Sequence, residues 1–240
     1  MSRSNRAALS ALGIVLLAAG ALSGCATAID AGGSTPAPSE SAVDAEVEAA
    51  WLDGGRMIGI VTQGSSTCIP TAEETTIENG VVVVTLVERE EGTACTRDLV
   101  PRATLVGTPE GVDPTRDVEL RVVGEGYTGD ADLSGVAGLV AGGETDYLPS
   151  AGWTDEDGRF VILSWGSSGC IPVLESVETT SANEVTATFV TPPADQVCTM
   201  DMGPRAVVAQ VADVEGDGEV FVILQGGEFD NIRVPILGSD

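Results

Sequence analysis

Gly64-Ser-Ser-Thr-Cys68-Ile-Pro70 is followed, 102 residues later, by Gly166-Ser-Ser-Gly-Cys170-Ile-Pro172. Nearly the same offset relates Trp51-Leu-Asp-Gly-Gly-Arg56 to Trp153-Thr-Asp-Glu-Asp-Gly-Arg159. It also relates Cys95-Thr-Arg-Asp98-Leu-Val-Pro101-Arg102-Ala to Cys198-Thr-Met-Asp201-Met-Gly-Pro204-Arg205-Ala. Order and spacing both hold over three segments, which chance does not produce. The chain therefore reads as a duplication of one module of roughly 90 to 100 residues, an ordinary domain size.

The residues around these segments predict strands. In the first copy, Arg56 to Thr62 is an apolar run of strand length. Glu74 to Glu78 and Val81 to Val87 flank Asn79-Gly80, a strong hairpin signal because both turn positions need positive φ. Ala103 to Gly107 and Val118 to Val123 follow. The second copy offers Phe160 to Trp165, Leu174 to Thr179, Glu184 to Val190, Ala206 to Ala212, Val220 to Gln225 and Ile232 to Leu237. Val, Ile and Thr dominate these runs, and turn residues separate them. Val43 to Trp51 could form a short helix or an edge strand. Gly126 to Ser150 reads as a connection whose beginning could supply the last strand of the first copy. The expected fold is all-β: two tandem homologous modules, each a small β-sandwich or barrel-like unit with one internal disulfide.

The N terminus decides the compartment. Arg3 and Arg6 precede an almost wholly apolar or small stretch from Ala7 to Gly24. It is shorter than the roughly 20 apolar residues that span a bilayer, which suits a signal peptide. The stretch closes on Leu22-Ser23-Gly24-Cys25, which resembles the lipobox of bacterial lipoproteins. That resemblance implies cleavage before Cys25 and lipid attachment to its thiol. Two or more acyl chains, at about 0.8 kcal/mol per buried methylene, anchor a protein stably. Ala26 to Ala42 is rich in Ala, Gly, Ser, Thr and Pro and reads as a flexible tether. The expected divisions are a signal peptide (1–24), a lipidated cysteine with tether (25–45), a first module (46–130), a linker (131–150) and a second module (151–240).

With Cys25 lipidated, four cysteines remain, and four allow three pairings. Duplication favours Cys68 with Cys95 and Cys170 with Cys198, one bond per module. For loops of this length, the chain-entropy treatment gives about 3.5 kcal/mol per bond. A four-cysteine metal site is discounted: the cysteines form no close pairs and the expected compartment is oxidising.

Composition excludes several chemistries. Among 240 residues there is no His, and all 11 basic residues are Arg. Loss of Arg3 and Arg6 with the signal takes the formal charge from −26 to −28. Such a surface repels phosphate backbones, which argues against nucleic acid as a partner. Without His, serine-histidine and cysteine-histidine catalysis and imidazole metal sites are impossible. No catalytic residue, metal or cofactor is expected. Asp213 to Glu219 has the look of a calcium loop, but its twelfth position is Leu224 where a bidentate acid is needed. A hairpin turn between Ala206 to Ala212 and Val220 to Gln225 is the expectation there, and a turn likewise at Asp155-Glu-Asp157-Gly158.

Three features remain as candidate sites. The Gly-Ser-Ser loops could present backbone N–H groups to an anion, although a tight disulfide-pinned turn is the preferred reading. Asp98 with Arg102, and Asp201 with Arg205, are expected to hold the second cysteine loop, as ion pairs or through Arg bonds to loop carbonyls. Trp165, next to Ser167 and Ser168, stands where the first copy has the polar Thr62-Gln63; exposed there, it would be a ligand anchor, whereas packing at a strand end would bury it. Repeated GSSxC and CTxDxxPR segments make the chain similar to lipoproteins of GC-rich Gram-positive bacteria, a resemblance that implies no established activity. The expected function is a non-catalytic binding module at the outer face of the cell membrane, anchored through Cys25, with an envelope protein or small ligand as partner. A structural envelope protein without a ligand is the second expectation, and a carboxylate-dependent enzyme the third.

Overall fold

The expected hairpin at Asn79-Gly80 forms: both residues have positive φ, 54° and 93°, and Glu78 pairs with Val81 across the turn. It sits within a computed structural model that describes residues 42–88, 92–212 and 218–239. The signal, Cys25, the tether up to Ser41, Arg89 to Glu91 and Asp213 to Asp217 lie outside the described residues, while the end of the expected tether is a strand, Val43–Asp44, paired with Tyr127 and Thr128. Among the described residues there is no α-helix, and the fold is all-β.

The first half contains β1 (Val43–Asp44), β2 (Val47–Leu52), β3 (Met57–Gly64), β4 (Thr71–Glu78), β5 (Val81–Val87), β6 (Val100–Gly107), β7 (Val118–Gly124) and β8 (Tyr127–Leu133). The second half contains β9 (Ser150–Trp153), β10 (Arg159–Gly166), β11 (Leu174–Ser181), β12 (Glu184–Phe189), β13 (Gly203–Gln210), β14 (Phe221–Gly226) and β15 (Phe229–Leu237). From β2 and β9 onward, the halves repeat one pairing scheme. The order β2-β3-β6 returns as β9-β10-β13, and β8-β7-β5-β4 returns as β15-β14-β12-β11. In both, the strand after the hairpin runs parallel to its neighbour, β5 to β7 and β12 to β14. Val43 to Trp51 is extended, in β1 and β2, rather than helical.

One expectation is corrected. Ala206 to Ala212 and Val220 to Gln225 do not make a hairpin: β13 pairs with β10, whereas β14 pairs with β12 and β15. The connection between β13 and β14 crosses from one part of the sheet to another.

Alternation along the strands builds three cores. Val47, Ala49, Trp51, Ile58 and Ile60 of the β2-β3-β6 sheet face Val82, Val84, Leu120 and Val122 of the larger sheet. Ala151, Trp153, Phe160 and Ile162 face Val185, Ala187, Val222 and Leu224 in the same manner. The intervening positions form the third core, shared by both halves: Ala50, Leu52, Val61 and Ala103 with Val161 and Leu163. The β2-β3-β6 sheet, and the β9-β10-β13 part of the seven-stranded sheet that β15 joins to the rest of the second half, are thus covered on both faces, and the described residues form one compact unit. Close approach across this seam depends on Gly152, where a Cβ would lie 2.1 Å from the Trp51 carbonyl oxygen. A buried ion pair also crosses it. Arg159 Nη1 donates to Glu48 Oε1, and Thr154 Oγ1 donates to Glu48 Oε2 at 2.7 Å.

Candidate functional site at the second disulfide loop

In each copy the Gly-Ser-Ser and Cys-Thr-x-Asp segments together close a loop beyond the end of β3 or β10. The Cys68–Cys95 and Cys170–Cys198 disulfides each join Cα atoms 5.6 Å apart. The Cys68 N–H donates to the Ser65 carbonyl, and the Cys170 N–H to that of Ser167, both at 3.2 Å. The Ser66 N–H donates to Asp98 Oδ1 at 3.3 Å, and the Ser168 N–H to Asp201 Oδ1 at 3.1 Å. Ser65 and Thr96 hydroxyls meet at 2.8 Å, and those of Ser167 and Thr199 at 2.7 Å. Hydroxyls of Ser66 and Thr96 hold the Asp98 carboxyl down at about 2, and Ser168 and Thr199 do the same for Asp201. The donors that an external anion would need at Ser66 and Ser168 are thus taken by the chain's own carboxylates.

The two Asp residues are spoken for by these turns, and the Arg residues turn elsewhere. Arg102 donates from Nη1 to the Cys68 carbonyl, and its ion-pair partner is Glu88, at 2.7 Å. Arg205 donates to the carbonyls of Cys170 and Trp165, at 3.0 Å each, and pairs with Glu228. Both Arg side chains are buried, and each needs a carboxylate to offset its desolvation. The guanidinium also explains the glycine of the motif. A Cβ on Gly64 would lie 2.4 Å from Arg102 Cζ, and one on Gly166 2.7 Å from Arg205 Cζ. Glycine is required because the cation lies against the backbone there.

Trp165 is half-buried at the seam, packed against the shared core. Its ring stands edge-on to Tyr147 with centroids 5.1 Å apart, and its Nε1 is shielded from solvent. Trp51 and Trp153 are buried, the first donating from Nε1 to the Ser134 carbonyl at 3.0 Å.

Between the second disulfide and the β14–β15 turn lies a cavity of about 320 Å³. Ile171, Val173, Val190, Pro192 and Pro193 give it an apolar lining, and Ser167, Arg205 and Glu228 lie at its polar side. Ile171, Val173 and Val190 are substantially exposed, Val173 to 62%. The disulfide loop adds Val197 and Met200, both almost fully exposed, and Met202. Motifs do not single these residues out: Val173, Val190, Pro192, Pro193 and Val197 lie outside the repeated segments, and Met200 and Met202 occupy their variable positions. The signal that finds them is the difference between the copies. Aligned on the cysteines, Val173, Pro192, Pro193, Val197 and Met200 replace Thr71, Arg89, Glu90, Ala94 and Arg97. In sequence, the second copy has exchanged charged residues for apolar ones between the same pair of cysteines.

Among the described residues, no group of His, Cys, Asp or Glu side chains is placed to hold a metal. Comparison with protein-family models, with curated proteins and with solved structures gives no match.

Proposed function

We propose that this chain is a bacterial lipoprotein, cleaved before Cys25 and held at the outer face of the cell membrane by lipid on that residue. Its folded part is a non-catalytic interaction module whose contact surface is the apolar cavity and rim of the second disulfide loop. The observation that carries this reading is the asymmetry of the duplication. Both copies keep the disulfide, the Asp-capped turn and the buried Arg. One of them adds exposed Val173, Val197 and Met200, where the other has Thr71, Ala94 and Arg97, around a cavity of ligand size. Exposed apolar side chains on a rigid, cross-linked loop gain nothing for folding, so a contact is their best account. A purely structural envelope protein would have no use for replacing charged and polar side chains by apolar ones in one copy of this loop.

The anchor and the surface are tested separately. Cys25→Ser should abolish incorporation of labelled fatty acid and move the protein out of the membrane fraction; unchanged labelling would refute the lipoprotein reading. For the surface, cross-linking in the native envelope should give products with the wild-type protein that are lost in the Val173→Thr, Val197→Ser, Met200→Gln triple variant. Identical products from both would remove the second loop as the contact.

A further inference from the structure

We infer that the cavity beside Cys170–Cys198 docks a peptide segment that is both apolar and cationic, a refinement that rests on the interaction-module reading above. The cavity itself sets the apolar requirement. A volume of about 320 Å³ lined by Ile171, Val173, Val190 and two prolines accommodates one or two large aliphatic or aromatic side chains. Met200 and Met202 on the adjoining loop add exposed, adaptable side chains of a kind suited to varied apolar partners. The loop is held from behind by its disulfide and by the Arg205 bonds to the Cys170 and Trp165 carbonyls, so little ordering is lost on docking.

Charge sets the second requirement. The chain carries a formal charge of −26 and has no Lys. The first copy's corresponding stretch, Val87 to Leu99, mixes Arg89 and Arg97 with Glu88, Glu90, Glu91 and Asp98; the second keeps the same net charge of −2 with no cation at all. From Val190 to Met202, the charged residues that remain are Asp195 and Asp201. Glu228 at the cavity is half-exposed on its side chain, while its partner Arg205 is buried. The docking face therefore presents acids at its edge and keeps its one cation beneath the surface. That combination attracts a basic partner and repels an acidic one. It also repels anionic lipid headgroups, which separates a peptide from the bilayer as occupant.

The test uses the folded mature protein and three short synthetic probes: alternating Leu and Lys, alternating Leu and Glu, and alternating Ser and Lys. Fluorescence anisotropy should show the Leu/Lys peptide binding about tenfold or more tightly than either other probe. The charge-neutral triple variant Val173→Thr, Val197→Ser, Met200→Gln should lose that binding by about tenfold while its thermal midpoint stays unchanged, since all three side chains are exposed. Equal binding of the Leu/Glu peptide would overturn the cationic assignment and leave the interaction surface standing. Equal binding of the Ser/Lys peptide, or an unaffected triple variant, would overturn docking in the cavity, because a diffuse acidic surface would then explain the data. Partition of the wild-type domain into phosphatidylglycerol vesicles, lost in the triple variant, would reassign the face to the membrane. If no probe binds and the envelope cross-links are also unchanged in the variant, the inference and the reading beneath it both fall.

Discussion

Arg205 shows how one residue type recurs for a reason that spacing alone does not disclose. Its position four residues after Asp201, mirrored by Arg102 after Asp98, invites an ion pair within the motif. Instead, each carboxylate caps a turn and each guanidinium reaches back to the carbonyl of the first cysteine. Burying a cation requires a counter-charge from somewhere. In the first copy Glu88 provides it, just after β5; in the second that position is Thr191, and Glu228 of the β14–β15 turn provides it. The electrostatic requirement is repeated while the residue that meets it moves, so a search for repeated positions cannot find the partner. A double-mutant cycle tests the pairing. Glu228→Ala strands a buried guanidinium and should cost about 2 kcal/mol, reduced from the fully buried case because Glu228 itself is 46% exposed. Adding Arg205→Met should cost at least about 1 kcal/mol less than the two single changes combined. Additive values from chemical denaturation would show that the two charges do not interact.

At the scale of elements, the strands and disulfides were legible because their signals are local. Asn79-Gly80 demands a hairpin, the β-branched run from Val81 to Val87 marks a strand, and duplication pairs the cysteines. The β13-to-β14 connection was misread because two apolar runs around Gly and Asp look like a hairpin whether or not the strands meet. The loops also carry a pH dependence whose sign is set by Asp98 and Asp201. Their carboxyls sit at about 2 in the folded protein, below the usual value of about 4, because loop hydroxyls and N–H groups donate to the ionised form. Such groups stabilise the fold fully above about pH 4, and the contribution fades as pH falls toward 2. Asp98→Asn with Asp201→Asn should therefore flatten the fall of the thermal midpoint between about pH 4 and 2. A wild-type slope retained in the double variant would place the acid sensitivity elsewhere. Both groups are fully exposed, so the effect is read as a change of slope.

At the scale of the molecule, the least legible feature was the seam. Separate modules joined by a linker were the natural reading of a tandem repeat, yet Val161 and Leu163 of one copy share a core with Ala50, Leu52 and Val61 of the other. A trace of this was present in Phe160-Val-Ile-Leu163: four consecutive apolar residues signal a strand covered on both faces, whereas a half-buried strand alternates. What no pattern could reveal was Glu48, an acid within β2 whose partner lies 111 residues away in Arg159. Glu48 is 4% exposed, and burial pushes its carboxyl above the usual range against the Thr154 hydrogen bond and the Arg159 charge. An acid raised in the folded state contributes most below its unfolded value of about 4, and that contribution is lost as pH rises through the raised value, opposite in sign to Asp98 and Asp201. The pair thus locates the halves at a standing electrostatic cost near neutrality. Glu48→Gln keeps an acceptor for Arg159 and turns its amide N–H toward the Thr154 hydroxyl, without the buried charge, so it should remain within about 1 kcal/mol of wild type at neutral pH. It should also remove the part of the stability decline above about pH 4 that Glu48 causes. Glu48→Ala removes the carboxylate from a partly buried Arg159 that keeps only its Gln210 hydrogen bond, at 2.8 Å, and should cost about 2 kcal/mol. Urea unfolding of the three proteins across this range decides the matter: equal losses for Gln and Ala would mean that shape, and not the hydrogen-bonded pair, is what Glu48 brings to the seam.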